Sequence, residues 1–132
     1  MKIKLFLLVL LFVSNIFANE IDVKNLTEQQ IETLKEIKKE EDAHGLGYTL
    51  MAIAIKESSI GKNLINPISN DYGLFQSNIK SVIKRQKVPD TIYNRRYFAQ
   101  KLVYDVGFST ANAIVEIDYW RKVHNDNWIK IW

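Results

Sequence analysis

The chain has no cysteine, only two prolines and five glycines, and just two histidines. Without cysteine there is no disulfide scaffold, no thiolate nucleophile and no cysteine-ligated zinc or iron–sulfur centre. His44 and His124 lie 80 positions apart, which excludes a sequence-local histidine metal motif. The scarcity of proline and glycine leaves no linker, repeat or low-complexity stretch that would divide the chain. Long hydrophobic runs are missing too: the longest uninterrupted one, Leu5 to Val13, falls well short of the ~20 residues that a spanning helix needs. What remains is an ordinary globular composition of 132 residues, 47% hydrophobic and 25% charged. That is enough for one domain with a short removable segment, and too little for two cores.

Residues 1–18 supply that segment. Lys2 and Lys4 precede the apolar run, and Ser14-Asn15-Ile16-Phe17-Ala18 follows it, the order of a secretory signal peptide with Ala18 at the cleavage position. The competing assignment is an uncleaved membrane anchor. Cleavage after Ala18 removes two lysines and no acid, so the formal charge of +3 falls to +1. Nucleic-acid binding by bulk charge then has little to drive it. The remaining charge is uneven: residues 19–50 carry net −4 and residues 51–132 net +5.

The mature chain, 19–132, reads as a single, mostly helical domain. In 27–42 the Thr27–Gln30 pair has the spacing of a capping box, and Leu26 and Ile31 that of a hydrophobic staple. Ile31, Leu34 and Ile37 form one apolar stripe on a charged helix. Gly45-Leu46-Gly47 ends it. Tyr48 to Ser58 is apolar all round, which predicts a helix surrounded by protein, with Gly61 as its stop. Residues 61–73 form a turn-rich loop, and the 62–78 region has room for a small β-hairpin. Leu74, Phe75, Ile79, Val82 and Ile83 are candidate core. Asp90 is placed to cap a helix running to about Val106, with Ile92, Tyr93, Phe98, Leu102 and Val103 partly inside. Ser109 is placed to cap another over 110–124, bearing Ala113, Ile114, Ile117, Trp120 and Val123.

Glu57 lies in the last turn of the apolar helix. Desolvation by that helix and the negative end of its dipole both favour the neutral acid over the anion. A carboxylic acid that stays protonated is what cleavage of a glycosidic bond requires. The plainer alternative is a solvated Glu paired with Lys56 or Lys62.

The residues that follow bear on that choice. Glu57-Ser58 is followed by Gly61, Ser69 and Tyr72-Gly73-Leu74-Phe75-Gln76. An E-S pair after an apolar helix, with a G-L-F-Q segment some fifteen residues on and a serine before it, resembles the soluble lytic transglycosylase family of the lysozyme-like superfamily. The resemblance covers roughly residues 40–132. It implies a lysozyme-like helical domain with a sugar-binding cleft, and Glu57 as the single catalytic acid and base, acting without metal or cofactor. The substrate it implies is the peptidoglycan glycan strand, and the product a 1,6-anhydromuramoyl end. Ser58, Ser69, Tyr72, Gln76 and Asn112 are the implied cleft residues, and Gly73 is implied to let the backbone approach substrate. With the signal peptide, the resemblance implies a monomer exported to the bacterial periplasm or envelope, alone or serving an envelope-spanning secretion machine.

Other residues keep two assignments at this stage. Asp71 is either part of an Asn70-Asp71 turn or the second acid of a lysozyme-type hydrolase. Tyr72, Tyr93, Tyr97, Tyr119 and Trp120 are available for stacking on sugars, although Trp120 and Phe98 have core spacing. Lys84-Arg85 and Arg95-Arg96 are solvated pairs or contacts for the acidic peptide stems of the wall. His44 and His124 read as surface or capping residues. The sequence closes on Asn127-Trp128-Ile129-Lys130-Ile131-Trp132, the opening of an apolar helix. In the family a helix here runs on into an A-x-Y-N segment with no counterpart in these residues. Either these residues are a fragment or the product is truncated here. A truncated domain is expected to keep the motif but lose stability and most activity. The alternative to an enzyme is a catalytically impaired binding or assembly relative.

Overall fold

The computed structural model describes residues 23–41 and 45–131. The expected signal peptide, His44 and Trp132 lie outside the described residues. After a 3-10 turn at Val23–Asn25, helix α1 spans Glu28–Glu41 and α2 spans Gly47–Ser58. Strands β1 (Ile65–Asn66), β2 (Asp71–Tyr72) and β3 (Ser77–Asn78) come next, followed by α3 (Ile79–Gln86), α4 (Ile92–Tyr104), α5 (Val106–Val123) and α6 (Trp128–Ile131). The chain is mostly helical, as expected, with a small antiparallel sheet. No helix among the described residues is long and apolar enough to cross a membrane.

The capping box of α1 is formed. The Gln30 N–H donates to Thr27 Oγ1 at 3.2 Å, and the Thr27 N–H donates to Gln30 Oε1 at 2.9 Å. Two otherwise orphaned donors are satisfied together. The buried stripe differs by one position from the expected one. Leu34 and Ile37 are buried, but Ile31 is exposed and Gln30 takes the inner place. Gln30 can be inside because its Nε2 reaches the Ser59 carbonyl, so the buried amide is not left unpaired.

Helix α2 is not surrounded by protein. Gly47, Leu50, Ala54 and Ser58 are buried at helical spacing, while Ala52 is exposed and Met51, Ile53 and Ile55 are half-buried. One side faces α1, which crosses closely enough that a Cβ on Gly47 would lie 3.1 Å from Lys38 Cγ. The other side carries apolar residues to the surface, and part of it becomes a groove wall.

The hairpin expected in 62–78 is a three-stranded antiparallel meander, β1-β2-β3. Ile65 pairs with Tyr72 and Asn66 with Asp71, and Asp71 pairs in turn with Asn78 and Tyr72 with Ser77. Asn66 Oδ1 closes the first turn by accepting from the N–H groups of Ile68 and Ser69, the Asx arrangement that makes Asn a turn former. Asn78 then caps α3, its Oδ1 accepting from the Lys80 N–H.

Two expected caps move. Thr91, not Asp90, caps α4. Asp90 instead forms an ion pair with Arg95. Asp105, not Ser109, caps α5: its Oδ1 accepts from the Phe108 N–H at 2.8 Å, while its own N–H closes the last turn of α4. The break between the two helices is thus a single residue, and Ser109 is fully buried inside α5. Ile92 and Tyr93 are exposed rather than partly inside, because the first turn of α4 projects beyond the core.

Two apolar clusters result. One joins α1 and α2 to Ile60, Leu74, Phe75 and the Ala113–Ile117 face of α5. The other joins Ile79, Val82 and Ile83 of α3 to Phe98 and Leu102 of α4. All five core candidates from Leu74 to Ile83 are buried.

The Arg95 guanidinium, chiefly through its hydrogen bond, holds the Asp90 carboxyl below the usual carboxylate range. A lowered folded-state value means that the pair's contribution is present at neutral pH and is lost as pH falls through that value. Exposure keeps it small and salt-sensitive. Asp90→Asn is expected to lower the thermal midpoint slightly at pH 7 in low salt. The gap to the parent should close below about pH 3 and in high salt; a gap that persists in acid would mean that the charge is not its source.

Candidate active-site groove

Helix α2 ends in an unusual turn. Ser59, Ile60 and Gly61 have φ of 53°, 52° and 89°, three consecutive residues in the left-handed region. The stop therefore comes at Ser59, two residues before the glycine expected to supply it. The Ser59 N–H donates to the Ile55 carbonyl, an αL-type ending, and the Ile60 N–H donates to the Ala54 carbonyl. A β-branched residue at positive φ is strained. Ile60 is held there because its side chain is buried in the first cluster.

Ser58 locks this turn from inside. It is fully buried, its Oγ donating to the Ala54 carbonyl at 3.1 Å and accepting from the Gly61 N–H at 3.2 Å. Ser58 is therefore a support for the turn and not a cleft residue. Ser58→Ala removes the acceptor for Gly61 and is expected to cost about 1–2 kcal/mol, read as a lower urea midpoint; an unchanged midpoint would contradict that role.

One residue earlier, Glu57 faces outward. It is exposed rather than desolvated, because it lies off the 47-50-54-58 stripe. Among the described residues no hydrogen bond or ion pair engages its carboxylate.

Glu57 lines a groove of about 320 Å³. Its apolar wall is Ile53 of α2, Ile117 and Trp120 of α5, and Trp128 and Ile131 of α6. The same groove has polar lining from Gln76, Ser77, Asn78 and Ser81. Gln76 sits at φ 49° and its Nε2 donates to the carbonyls of Asn63 (2.9 Å) and Gly73 (3.0 Å). Its amide nitrogen is thus committed to the loop, and Oε1 is the atom left for a ligand.

Gly73 is a packing residue, in contrast to the implied approach to substrate. Its φ is +84°, and a Cβ there would fall 2.3 Å from the Leu102 carbonyl oxygen and 2.9 Å from Ser109 Oγ. The turn before the strand is thereby pressed against the α4–α5 junction.

A second carboxylate lines the groove, and it was not legible in advance. Glu116 Oε2 accepts from Arg85 Nη1 at 2.6 Å and Oε1 accepts from Trp120 Nε1 at 3.0 Å. Arg85 Nε also donates to Asn112 Oδ1 at 3.3 Å, and Asn112 Nδ2 donates to the Phe108 carbonyl at 2.9 Å. Asn112 is buried, so it anchors Arg85 and does not itself line the groove. The available signal was the i, i+4, i+8 series Asn112, Glu116, Trp120, which puts one acid and one indole beside the Ala113–Ile117 stripe. Trp120 belongs to the groove wall and is 40% exposed, against its expected core place; Phe98 is core.

The other expected site residues lie elsewhere. Asp71 Oδ1 accepts from Asn78 Nδ2 at 2.9 Å, and Asn78 also donates to the Ser69 carbonyl. Both residues belong to the sheet and its turn. Tyr72 packs on the second cluster and lines a separate depression with Arg95 and Arg96. Tyr93 and Tyr97 stack on each other on α4. His124 caps the C-terminus of α5 and stacks on Trp120. Of the seven residues, Glu57 and Gln76 meet in the groove, Ser58, Gly73 and Asn112 support it from beneath, and Ser69 and Tyr72 are outside. No group of three or more acidic or histidine side chains among the described residues is placed to hold a metal ion.

Comparison with protein-family models, with curated proteins and with solved structures finds no match for the chain.

Proposed function

We propose that the protein is an exported peptidoglycan lytic transglycosylase with a lysozyme-like domain and Glu57 as its acid and base. The observation that carries this is the unequal state of the two groove carboxylates. Glu116 has both oxygens engaged, by Arg85 and Trp120, whereas Glu57 has none engaged among the described residues. The Glu57-Ser58 and Gly73–Gln76 motifs and a groove lined by both apolar and polar side chains add support.

In this reading the neutral Glu57 carboxyl protonates the oxygen between N-acetylmuramic acid and N-acetylglucosamine as that bond breaks. Positive charge at C1 is relieved by the substrate's own acetamido group. The Glu57 carboxylate then takes the proton of the muramoyl C6 hydroxyl, and O6 bonds to C1. The proton given up is thus recovered, and no water enters the product. Glu57 is exposed, so the apolar surroundings that a general acid needs are completed by the bound sugar.

A two-carboxylate, lysozyme-type hydrolase would need its second acid free to act on water or on C1. Glu116 is occupied, and Asp71, which does not line the groove, accepts from Asn78. Digestion of purified peptidoglycan followed by mass spectrometry separates the readings. Anhydro ends, lighter by one water than hydrolytic ends, are expected. Reducing ends would make the protein a hydrolase, and no cleavage by the folded protein would leave a binding relative.

A further inference from the structure

We infer that Trp120 is a fixed stacking platform for a hexosamine ring, built by Arg85, Glu116 and His124 and distinct from the reacting carboxylate. This rests on the glycan-cleaving reading above for the identity of the ligand, but on separate residues. An indole that lines a groove is ordinarily free to turn about two torsions, and a platform must not. Here the rotation is blocked. The Nε1–H is bonded to Glu116, which is itself fixed by Arg85. The His124 ring lies parallel to the indole, at 5.6 Å between centroids and 10° between planes, and Tyr119 meets it edge-on at 5.1 Å. Neither His124 nor Tyr119 lines the groove, while Trp120 does. The face that His124 covers is therefore the rear one, and the open face is turned to the ligand.

Trp128 is held in the same manner. The Arg121 guanidinium lies 5.7 Å from its ring centroid and is anchored by Asp126 at 2.7 Å. Arg121 is also outside the groove that Trp128 lines. Two backed indoles thus line the same groove as the polar side chains of Gln76, Ser77, Asn78 and Ser81. A pyranose has that same mixture, with C–H bonds on its faces and hydroxyl or acetamido groups round its rim. An apolar peptide or acyl chain would leave the polar row unpaired, at a cost. Fixing the indole beforehand also removes the ordering cost of binding.

The test uses the full chain carrying Glu57→Gln, so that ligand is not consumed, titrated calorimetrically with chitotetraose. Adding Trp120→Ala should weaken binding on the order of tenfold. Trp120→Phe should restore most of the affinity, since it keeps a ring face. Glu116→Ala should weaken binding by a smaller factor, because the ring remains but is no longer held. Thermal midpoints taken alongside separate these effects from folding, since affinity must follow the ring and not the midpoint. Equal affinity in Trp120→Ala, or no binding to the Glu57→Gln parent at millimolar ligand, overturns the platform. Its failure is distinct from failure of the catalytic reading. Trp120-dependent binding without anhydro products keeps the platform alone; anhydro products with Trp120→Ala unaffected keep the catalysis alone.

Discussion

Gly73→Ala is expected to destabilise the protein by about 3 kcal/mol, enough to lower its thermal midpoint by about 15 °C. Two costs combine. A φ of +84° is unfavourable for any residue with a Cβ, at about 1 kcal/mol. The larger cost is spatial, because the Cβ would overlap the Leu102 carbonyl oxygen at 2.3 Å. That neighbour is helical backbone and cannot rotate away, so the turn must lift from the α4–α5 junction, and overpacking of this kind adds a further ~2 kcal/mol. Gly61→Ala is the matched control. Its φ is +89°, but the nearest atom to a Cβ is Leu74 Cδ2 at 3.8 Å, so only the backbone cost of about 1 kcal/mol applies. Circular dichroism melts of the two variants measure the difference. Similar midpoints would mean that the turn is not pinned against α4.

Glu57→Gln is expected to reduce formation of anhydro-muropeptides about a thousandfold, within the range for loss of a general acid and base. The carboxamide keeps the shape of the side chain but can neither give nor recover the proton. Stability should stay within about 0.5 kcal/mol of the parent, since the residue is exposed and off the buried stripe. Any change should be toward greater stability, because a negative charge at a helix C-terminus opposes the dipole. Asp71→Asn is the informative comparison and should keep most activity. Asp71 is outside the groove and serves the sheet through Asn78. Equal losses in the two variants would point to a two-carboxylate reaction and against a single acid. Loss of activity in Glu57→Gln with a much lower melting point would instead make Glu57 a structural residue.

How far the groove could be foreseen varied by residue. Glu57 and Gln76 were legible because each belongs to a short motif whose meaning is local. Ser58 and Gly73 were legible as important, but not for the reason first assigned. A serine hydroxyl and a missing side chain serve a ligand or a turn equally well until the neighbours are known. Glu116 was not legible as an anchor. A glutamate between Val115 and Ile117 on an amphipathic helix looks like one more solvated charge. Only the approach of Arg85, thirty-one positions earlier, makes it an anchor. Trp120 was misplaced for a related reason: its helical spacing fits the core, yet α5 extends beyond the partner that would have covered it, and the indole is left as wall.

Secondary structure divides along the same line. The capping box of α1, the core run from Leu74 to Ile83 and the absence of thiol chemistry were determined by the sequence alone, because they depend on composition or on residues within one turn of each other. The positions of the helix breaks depended on more. Asp90 and Ser109 are good caps by type, but Asp90 is drawn to Arg95 and Ser109 into the core, leaving Thr91 and Asp105 to cap. Helix α2 makes the point most clearly. Its sequence is apolar on every side, and propensity makes it helical wherever it lies. Which side is covered was decided by α1 and α5, and the side they left open is the one that carries Ile53 and Glu57 into the groove.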